Sequence, residues 1–346
     1  MADGLTDEPV DAAQRFGSMA ERFADLAERL RSGARVLPTQ LALETVCGCN
    51  ARCVMCPSQG MRRPKGMLTL ATHRLMADRV AESGAAIEII SHAGMGEPLR
   101  DKTLPEKVAY EKRRFPAASV MVFTNGSLLD AEMGRRLLDS GVDVVSVSIN
   151  AFRPETYTAT MGLSRERTYA NVEAFRDLLA SVAGPRPRLN VSLVRTELCG
   201  EDEVGEFVRH WTPLADAVVL PPTIAWGSGP ALGGGVRRFP CLYLWKVLMV
   251  DFDGTVKPCC EDYESSVPFG NILQQDPVDV FNCETARRMR LAQLAGDFSR
   301  PGICAGCVET LEPAREWWES ASPLLEPNVG EAAAPERSGR PVAAGK

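Results

Sequence analysis

Seven cysteines fall into two sets whose spacing suits metal ligation. Cys49, Cys53 and Cys56 form the triplet Cys49-x-x-x-Cys53-x-x-Cys56, and Cys241, Cys259, Cys304 and Cys307 form a quartet far downstream. Thiolates in these numbers suit soft metals, and together the sets suggest two iron–sulfur clusters. A cubane on the triplet keeps one iron without a protein ligand, free to bind a substrate or cofactor. The quartet can close all the irons of a second cluster, which can then only pass electrons. Zinc is the alternative at both places, as a three-cysteine site completed by His73 or His92 and as a four-thiolate knuckle. Of the other cysteines, Cys47, Cys199 and Cys283 read as small buried apolar residues. Cys260 adjoins Cys259 at a position expected near the mouth of the fold, and is an alternative ligand or a hydrogen-atom donor.

Composition sets the frame for these sites. A chain of 346 residues with 45% hydrophobic content can bury an enzyme-sized core plus a small appended module. It contains no run of 18 apolar residues, and Met1–Val10 is acidic rather than basic and then apolar. Neither a membrane span nor a secretory signal is expected, which points to the cytoplasm. Eleven cysteines in such a chain read as reduced thiols serving metals. A formal charge of −6 makes nucleic acid an unsuitable partner, because phosphate binding needs a basic face.

The elements that must position these residues follow from periodicity. Phe16, Met19, Phe23, Leu26 and Leu30 predict an amphipathic helix over 11–33 that packs across the main domain. Strands are predicted at Gln40–Val46, Ala86–His92, Ser119–Thr124, Asp143–Ile149, Arg188–Arg195 and Ala217–Leu220, separated by helices at 69–83, 102–114, 130–140, 167–182 and 201–211. Six βα repeats imply an α/β fold, a partial (β/α)6 TIM-like barrel with its chemistry at the C-terminal strand ends. Beyond a Gly/Pro-rich linker at 227–235, Leu244–Val250 and Thr255–Lys257 flank the turn signal Asp253-Gly254, and a helix follows over Pro277–Leu294. The expected organisation is an N-terminal helical extension (1–38), a barrel (39–226), a small hairpin-plus-helix auxiliary-cluster domain (227–321) and a disordered tail (322–346).

The triplet after the first strand resembles the signature of the radical S-adenosylmethionine (SAM) superfamily, and further matches follow in order. Gly94-Met95-Gly96-Glu97-Pro98, after the second strand, is similar to the Gly-Gly-Glu motif that holds the SAM amino group. Thr124-Asn125-Gly126 ends the third strand as in many members. Ser146 and Ser148, near the end of the fourth, resemble ribose and carboxylate contacts. Met55 stands where many members place an aromatic residue against adenine, a role its thioether can fill. On the fifth strand Glu197 alone matches the family type. Each motif alone could be an ordinary turn or strand; their co-occurrence in order is what carries the resemblance. In the quartet, twelve residues separate Cys241 from Gly254 and four separate Gly254 from Cys259, which resembles the opening of the SPASM auxiliary-cluster module. No cysteine follows Cys307, so the match is to the shortened twitch form, as in radical SAM alcohol dehydrogenases of aminoglycoside biosynthesis.

The resemblance implies two 4Fe-4S clusters and SAM as cofactors, and a flavodoxin- or ferredoxin-type reductant. SAM is cleaved to a 5′-deoxyadenosyl radical that takes a hydrogen atom from an alcohol carbon. The auxiliary cluster accepts the electron that leaves a ketone. Arg195 and Glu197 are candidates for substrate or SAM contact and proton transfer. Little more than one helix precedes the barrel, which favours a small substrate such as an aminocyclitol, aminoglycoside or sugar. An acidic chain suits a cationic aminosugar. Epimerisation of such a substrate and modification of a peptide are the alternatives.

Overall fold

The computed structural model describes residues 19–221, 236–320 and 323–325. Most of the expected tail, the linker at 227–235 and the first part of the N-terminal helix, Phe16 included, lie outside them. No helix among the described residues is long and apolar enough to cross a membrane.

Six strands run parallel: β1 (Gln40–Leu43), β4 (Ile89–His92), β5 (Ser119–Thr124), β6 (Val144–Ser148), β7 (Arg188–Ser192) and β8 (Ala217–Val219). They alternate with helices α2 (Leu70–Glu82), α3 (Leu104–Arg114), α4 (Ala131–Asp139), α5 (Pro154–Met161), α6 (Arg165–Ala180) and α7 (Glu201–Trp211). Thr69, Asp130 and Ser164 cap α2, α4 and α6 through side-chain oxygens that accept backbone N–H bonds. Alternation along the strands divides the sheet. Ile90, Val120, Val122, Val145, Val147, Leu189 and Val191 are fully or almost fully buried, whereas their neighbours Ser91, Met121, Phe123, Ser148, Asn190 and Ser192 remain partly open on the other face.

Three expectations need correction. The first strand ends at Leu43, and Val46–Cys47 (β2) pairs instead with Gly66–Met67 (β3), an antiparallel ladder that closes the base of the cysteine loop. Residues 243–246 form a short helix, α8 (Tyr243–Lys246), so strand β9 is only Val247–Val250. The predicted helix over 277–294 breaks into α9 (Pro277–Phe281) and α10 (Glu284–Leu294). At the break, Asn282 accepts from Val36 N and donates to Val36 O at 2.7 and 2.8 Å, and Cys283, which packs against the core, also caps α10 by accepting from Ala286 N.

The hairpin of β9 and β10 (Thr255–Lys257) is part of the barrel's own sheet. β9 pairs in parallel with β1 over its whole length, giving the order β11-β10-β9-β1-β4-β5-β6-β7-β8, with β11 at Gly270–Asn271. An open barrel leaves the edge of β1 unpaired, and the hairpin covers it. The N-terminal helix, α1 (Ala20–Arg31), packs against this C-terminal part rather than across the barrel. The Phe23 ring meets Trp318 edge-on at 4.9 Å, and Arg22 donates to Trp318 O at 2.6 Å from α11 (Glu312–Ser320).

Candidate active site

The triplet occupies the loop that leaves β1, and α5 anchors it. Arg52 N and Val54 N donate to the carbonyls of Met161 and Thr160 at the C-terminal end of α5, both at 2.9 Å. Those carbonyls lack partners inside the helix, so the loop satisfies them. The sequence reading missed α5: its segment, PETYTATM, has little amphipathic pattern. The same end brings the Met161 thioether to 3.4 Å from Cys53 Sγ and 3.3 Å from Asn150 Nδ2. Asn150 is held in a left-handed conformation (φ 60°), and its Oδ1 accepts from Val194 N.

The Gly94–Pro98 motif abuts this loop. A side-chain carbon at Gly96 would sit 1.9 Å from Val46 O, and one at Gly94 2.6 Å from Glu44 Cγ, so only glycine permits the approach. Glu97 is 2% exposed and turns inward. Its carboxylate accepts from Leu99 N (3.0 Å), Thr124 Oγ1 (2.6 Å) and Asn125 N (2.7 Å), while burial pushes its pKa up against those bonds. Glu97 therefore fixes the end of β5, and Asn125 faces the cysteine loop. Asn125 Nδ2 lies 2.9 Å from Asn50 Oδ1 and 3.7 Å from Cys49 Sγ, and Ser127 completes the set by bonding both asparagines. Pro98 is buried, and Met55 half-buried.

Ser146 and Ser148 lie on the open face of β6, opposite Asn190 and Ser192 of β7, with Ser192 Oγ 3.5 Å from Ser148 Oγ. Phe123, 37% exposed, pairs with Ser146 from the other side. Arg195 and Glu197 stand past the end of β7, both exposed, with Arg195 bonded to Glu201 at 2.7 Å. His73 and His92 do not complete the triplet. Both are buried and bond the two oxygens of Glu111 at 2.7 and 2.8 Å.

The quartet gathers elsewhere. Cys241 precedes β9 and Cys259 follows β10, which runs antiparallel to it, so both lie beside the start of β9. The triplet follows the other end of neighbouring β1. Four residues of strand, a rise of roughly 13 Å, set the two sites apart along the sheet. A buried amide and a half-buried guanidinium that no spacing in the sequence reveals organise the quartet. Gln293 accepts from Cys241 N at 2.8 Å and points Nε2 at Cys304 Sγ. Arg238 donates to Thr310 Oγ1 and to the carbonyls of Ala305, Cys304 and Cys307. Cys260 sits with this quartet; burial, then Glu261, pushes its thiol up to about 11 despite a bond to Tyr243.

Both donor sets fit the clusters their sequence implies. Burial pushes Cys53 and Cys304 up to about 12, with the neighbouring cysteines of each set adding to the rise and Arg238 offsetting only part of it at Cys304, so a bound metal would supply the charge these thiols need to ionise. Among the described residues no three His, Cys, Asp or Glu side chains converge as one ion requires, whereas a cubane spreads its thiolates over separate irons.

A profile of the radical SAM superfamily matches residues 43–183, and one of the SPASM iron-sulfur cluster-binding domain matches residues 241–308. The AdoMet-dependent heme synthase of Methanosarcina barkeri is 35% identical over 145 residues, 40% of this chain and 39% of that protein, so the chain spans well under half of that relative. The S-adenosyl-L-methionine-dependent 2-deoxy-scyllo-inosamine dehydrogenase of Niallia circulans is 22% identical over 270 residues, 78% of this chain and 92% of that protein. In fold the chain resembles the crystal structure of BtrN in complex with AdoMet and 2-DOIA, with a TM-score of 0.55 and 20% identity over 79% of this chain and 93% of that one. Residues 43–183 thus match a radical SAM domain and residues 241–308 a SPASM-type iron–sulfur domain, which together imply two 4Fe-4S clusters and SAM as cofactors.

Proposed function

We propose that the protein oxidises a secondary alcohol of a small polar substrate, of aminocyclitol, aminoglycoside or sugar type, to a ketone. The triplet Cys49, Cys53 and Cys56 would hold the SAM-binding cluster, and Cys241, Cys259, Cys304 and Cys307 the electron-accepting one. When bound, these cofactors supply hydrogen-atom abstraction from carbon and a sink for one electron. The observation that carries the reading is the polar face shared by the parallel strands β4 to β7, beyond the strand that the triplet follows. Ser91, Ser146, Ser148, Asn190 and Ser192 offer hydroxyl and amide groups there, with Phe123 and Met121 as apolar walls. Such a lining suits a hydroxylated ring, orienting its polar groups and leaving one C–H free. Similarity to the N. circulans dehydrogenase over most of both chains supports the same class.

The substrate carbon loses one hydrogen atom, its hydroxyl loses a proton, and one electron leaves for the second site, two electrons in all. The proton acceptor is sought in Glu197 or water at the open end of β7, with Arg195 as a candidate substrate contact. Incubation with SAM, reductant and candidate aminocyclitols in deuterated water tests the reading. A ketone two hydrogens lighter than its substrate, made equally by the Cys260→Ala variant, is the expected product. An epimer carrying one solvent deuterium on carbon, lost in Cys260→Ala, would overturn it in favour of hydrogen-atom return.

A further inference from the structure

Arg238 is a half-buried cation that pairs with no carboxylate among the described residues. Its guanidinium is directed at the loop that carries two cysteines of the quartet. Nε donates to Thr310 Oγ1 at 2.8 Å, Nη1 to Ala305 O at 2.9 Å, and Nη2 to the carbonyls of Cys304 and Cys307. The buried ring of Phe298 lies against the guanidinium, with its centroid 4.2 Å from Cζ. Phe239 N, next in the chain, donates to Thr310 O at 2.7 Å and holds the backbone to the same loop. The charge is therefore fixed in place, since turning it out to solvent would break all of these side-chain bonds. The ionisable groups on which it acts are Cys307, Cys304 and Cys241, three of the four members of the quartet.

A cation drawn partly out of water without a carboxylate partner is unfavourable, and thiolates around iron would supply the missing negative charge. A fixed charge beside a cluster also moves its potential. Reduction adds one negative charge, and a nearby cation favours the more negative state. Carboxylates work against it: Asp262 acts on Cys304, and Glu261 and Glu309 on Cys307, with the opposite sign. At the triplet it is the carboxyl group of Glu97 that acts on Cys49 and Cys53. Resting on the reading that the C-terminal cluster takes an electron from the substrate, we propose that Arg238 is a positioning residue whose fixed charge raises that cluster's reduction potential and so suits it to be the acceptor. The cluster is reduced by one electron; the substrate, having lost a hydrogen atom from carbon and its hydroxyl proton, is oxidised by that electron to the ketone.

The test is an anaerobic redox titration of the reconstituted full chain, followed by electron paramagnetic resonance, for the parent, Arg238→Gln and Arg238→Lys. Iron content is measured on each, and the triplet cluster's own midpoint serves as internal reference. Glutamine removes the charge and keeps a donor, whereas lysine keeps the charge and loses the fork of bonds. In Arg238→Gln the C-terminal cluster should be about tenfold less reduced at any set potential, a midpoint about 59 mV lower, and Arg238→Lys should shift by less than half as much. Arg238→Lys loading the cluster while Arg238→Gln stays empty would support the same role of the charge. Equal midpoints in the parent and Arg238→Gln, an equal fall in both variants, or loss of the cluster from both would overturn the proposal and leave Arg238 as a brace for the loop. A parent that holds about four irons rather than about eight, or that releases an epimer, would instead count against the acceptor reading itself.

Discussion

Glu44, at the end of β1, forks around the guanidinium of Arg63 with contacts of 2.5 and 2.7 Å, and its Oε1 also accepts from Met95 N at 2.8 Å. One carboxylate thereby ties the first strand, the return of the cysteine loop and the Gly94–Pro98 motif into one unit. Asp251, at the end of β9, extends the cluster. It lies 3.7 Å from Arg63 and 2.7 Å from Lys257 Nζ, so the ion cluster also reaches the auxiliary hairpin. All four side chains are less than a tenth exposed.

Removing Arg63 should therefore be costly. Arg63→Met leaves Glu44 buried without its countercharge, and breaking a buried pair from one side costs about 3–5 kcal/mol. Thermal unfolding of reconstituted protein should show a lowered midpoint, and the affinity for SAM measured by calorimetry should fall as Met95 N loses a fixed acceptor. A midpoint within one degree of the parent's would show that the pair carries no stability.

Asn125 is placed to tune the first cluster. An N–H aimed at a ligand sulfur favours the reduced, more negative state. Loss of one such bond, about 1 kcal/mol, corresponds to a potential on the order of 40 mV lower. Redox titration of Asn125→Ala followed by electron paramagnetic resonance should find that shift in the triplet cluster and none in the other.

Iron content separates the two sites. Reconstituted protein should hold about eight irons, and the triple replacement of Cys49, Cys53 and Cys56 by Ala about four. Gln293→Leu, which removes the amide beside Cys304 and the acceptor of Cys241 N, should lower occupancy of the C-terminal site alone. Tightly held zinc at that site after reconstitution would contradict a second cluster.

The buried His73–Glu111–His92 triad predicts acid sensitivity. Burial raises the Glu111 pKa, but His92 and His73 outweigh it and hold the carboxyl below its ordinary 4.5. A depressed carboxyl adds stability that is present above the unfolded value and lost as pH falls below about 4.5 toward the folded value. Burial also lowers His73 from 6.5, so the unfolded chain takes up a proton first and stability already declines as pH drops below that value. Denaturant midpoints between pH 7 and 3 should fall for the parent, and fall less steeply below pH 4.5 for Glu111→Gln.

Local chemistry was legible in the sequence. The triplet, the Gly94–Pro98 motif and Asn125 follow strand ends, and a strand end is a local pattern of apolar residues that stops at a polar turn. Ser119–Thr124, Thr255–Lys257 and Glu201–Trp211 were readable to the residue for the same reason. What brings distant parts together was not. Helix α5 has no periodic face to betray it, yet its terminal carbonyls hold the cysteine loop. That Glu97 spends its carboxylate on β5 and that His73 and His92 belong to Glu111 are choices among partners far apart in the chain. The parallel pairing of β9 with β1 was hidden too, because a four-residue apolar strand carries no mark of the edge it will cover. Residue type and spacing determined which groups could bind metal and SAM; tertiary packing alone decided which buried donors and acceptors satisfy one another, because an unpaired polar group inside the protein costs too much to leave unmatched.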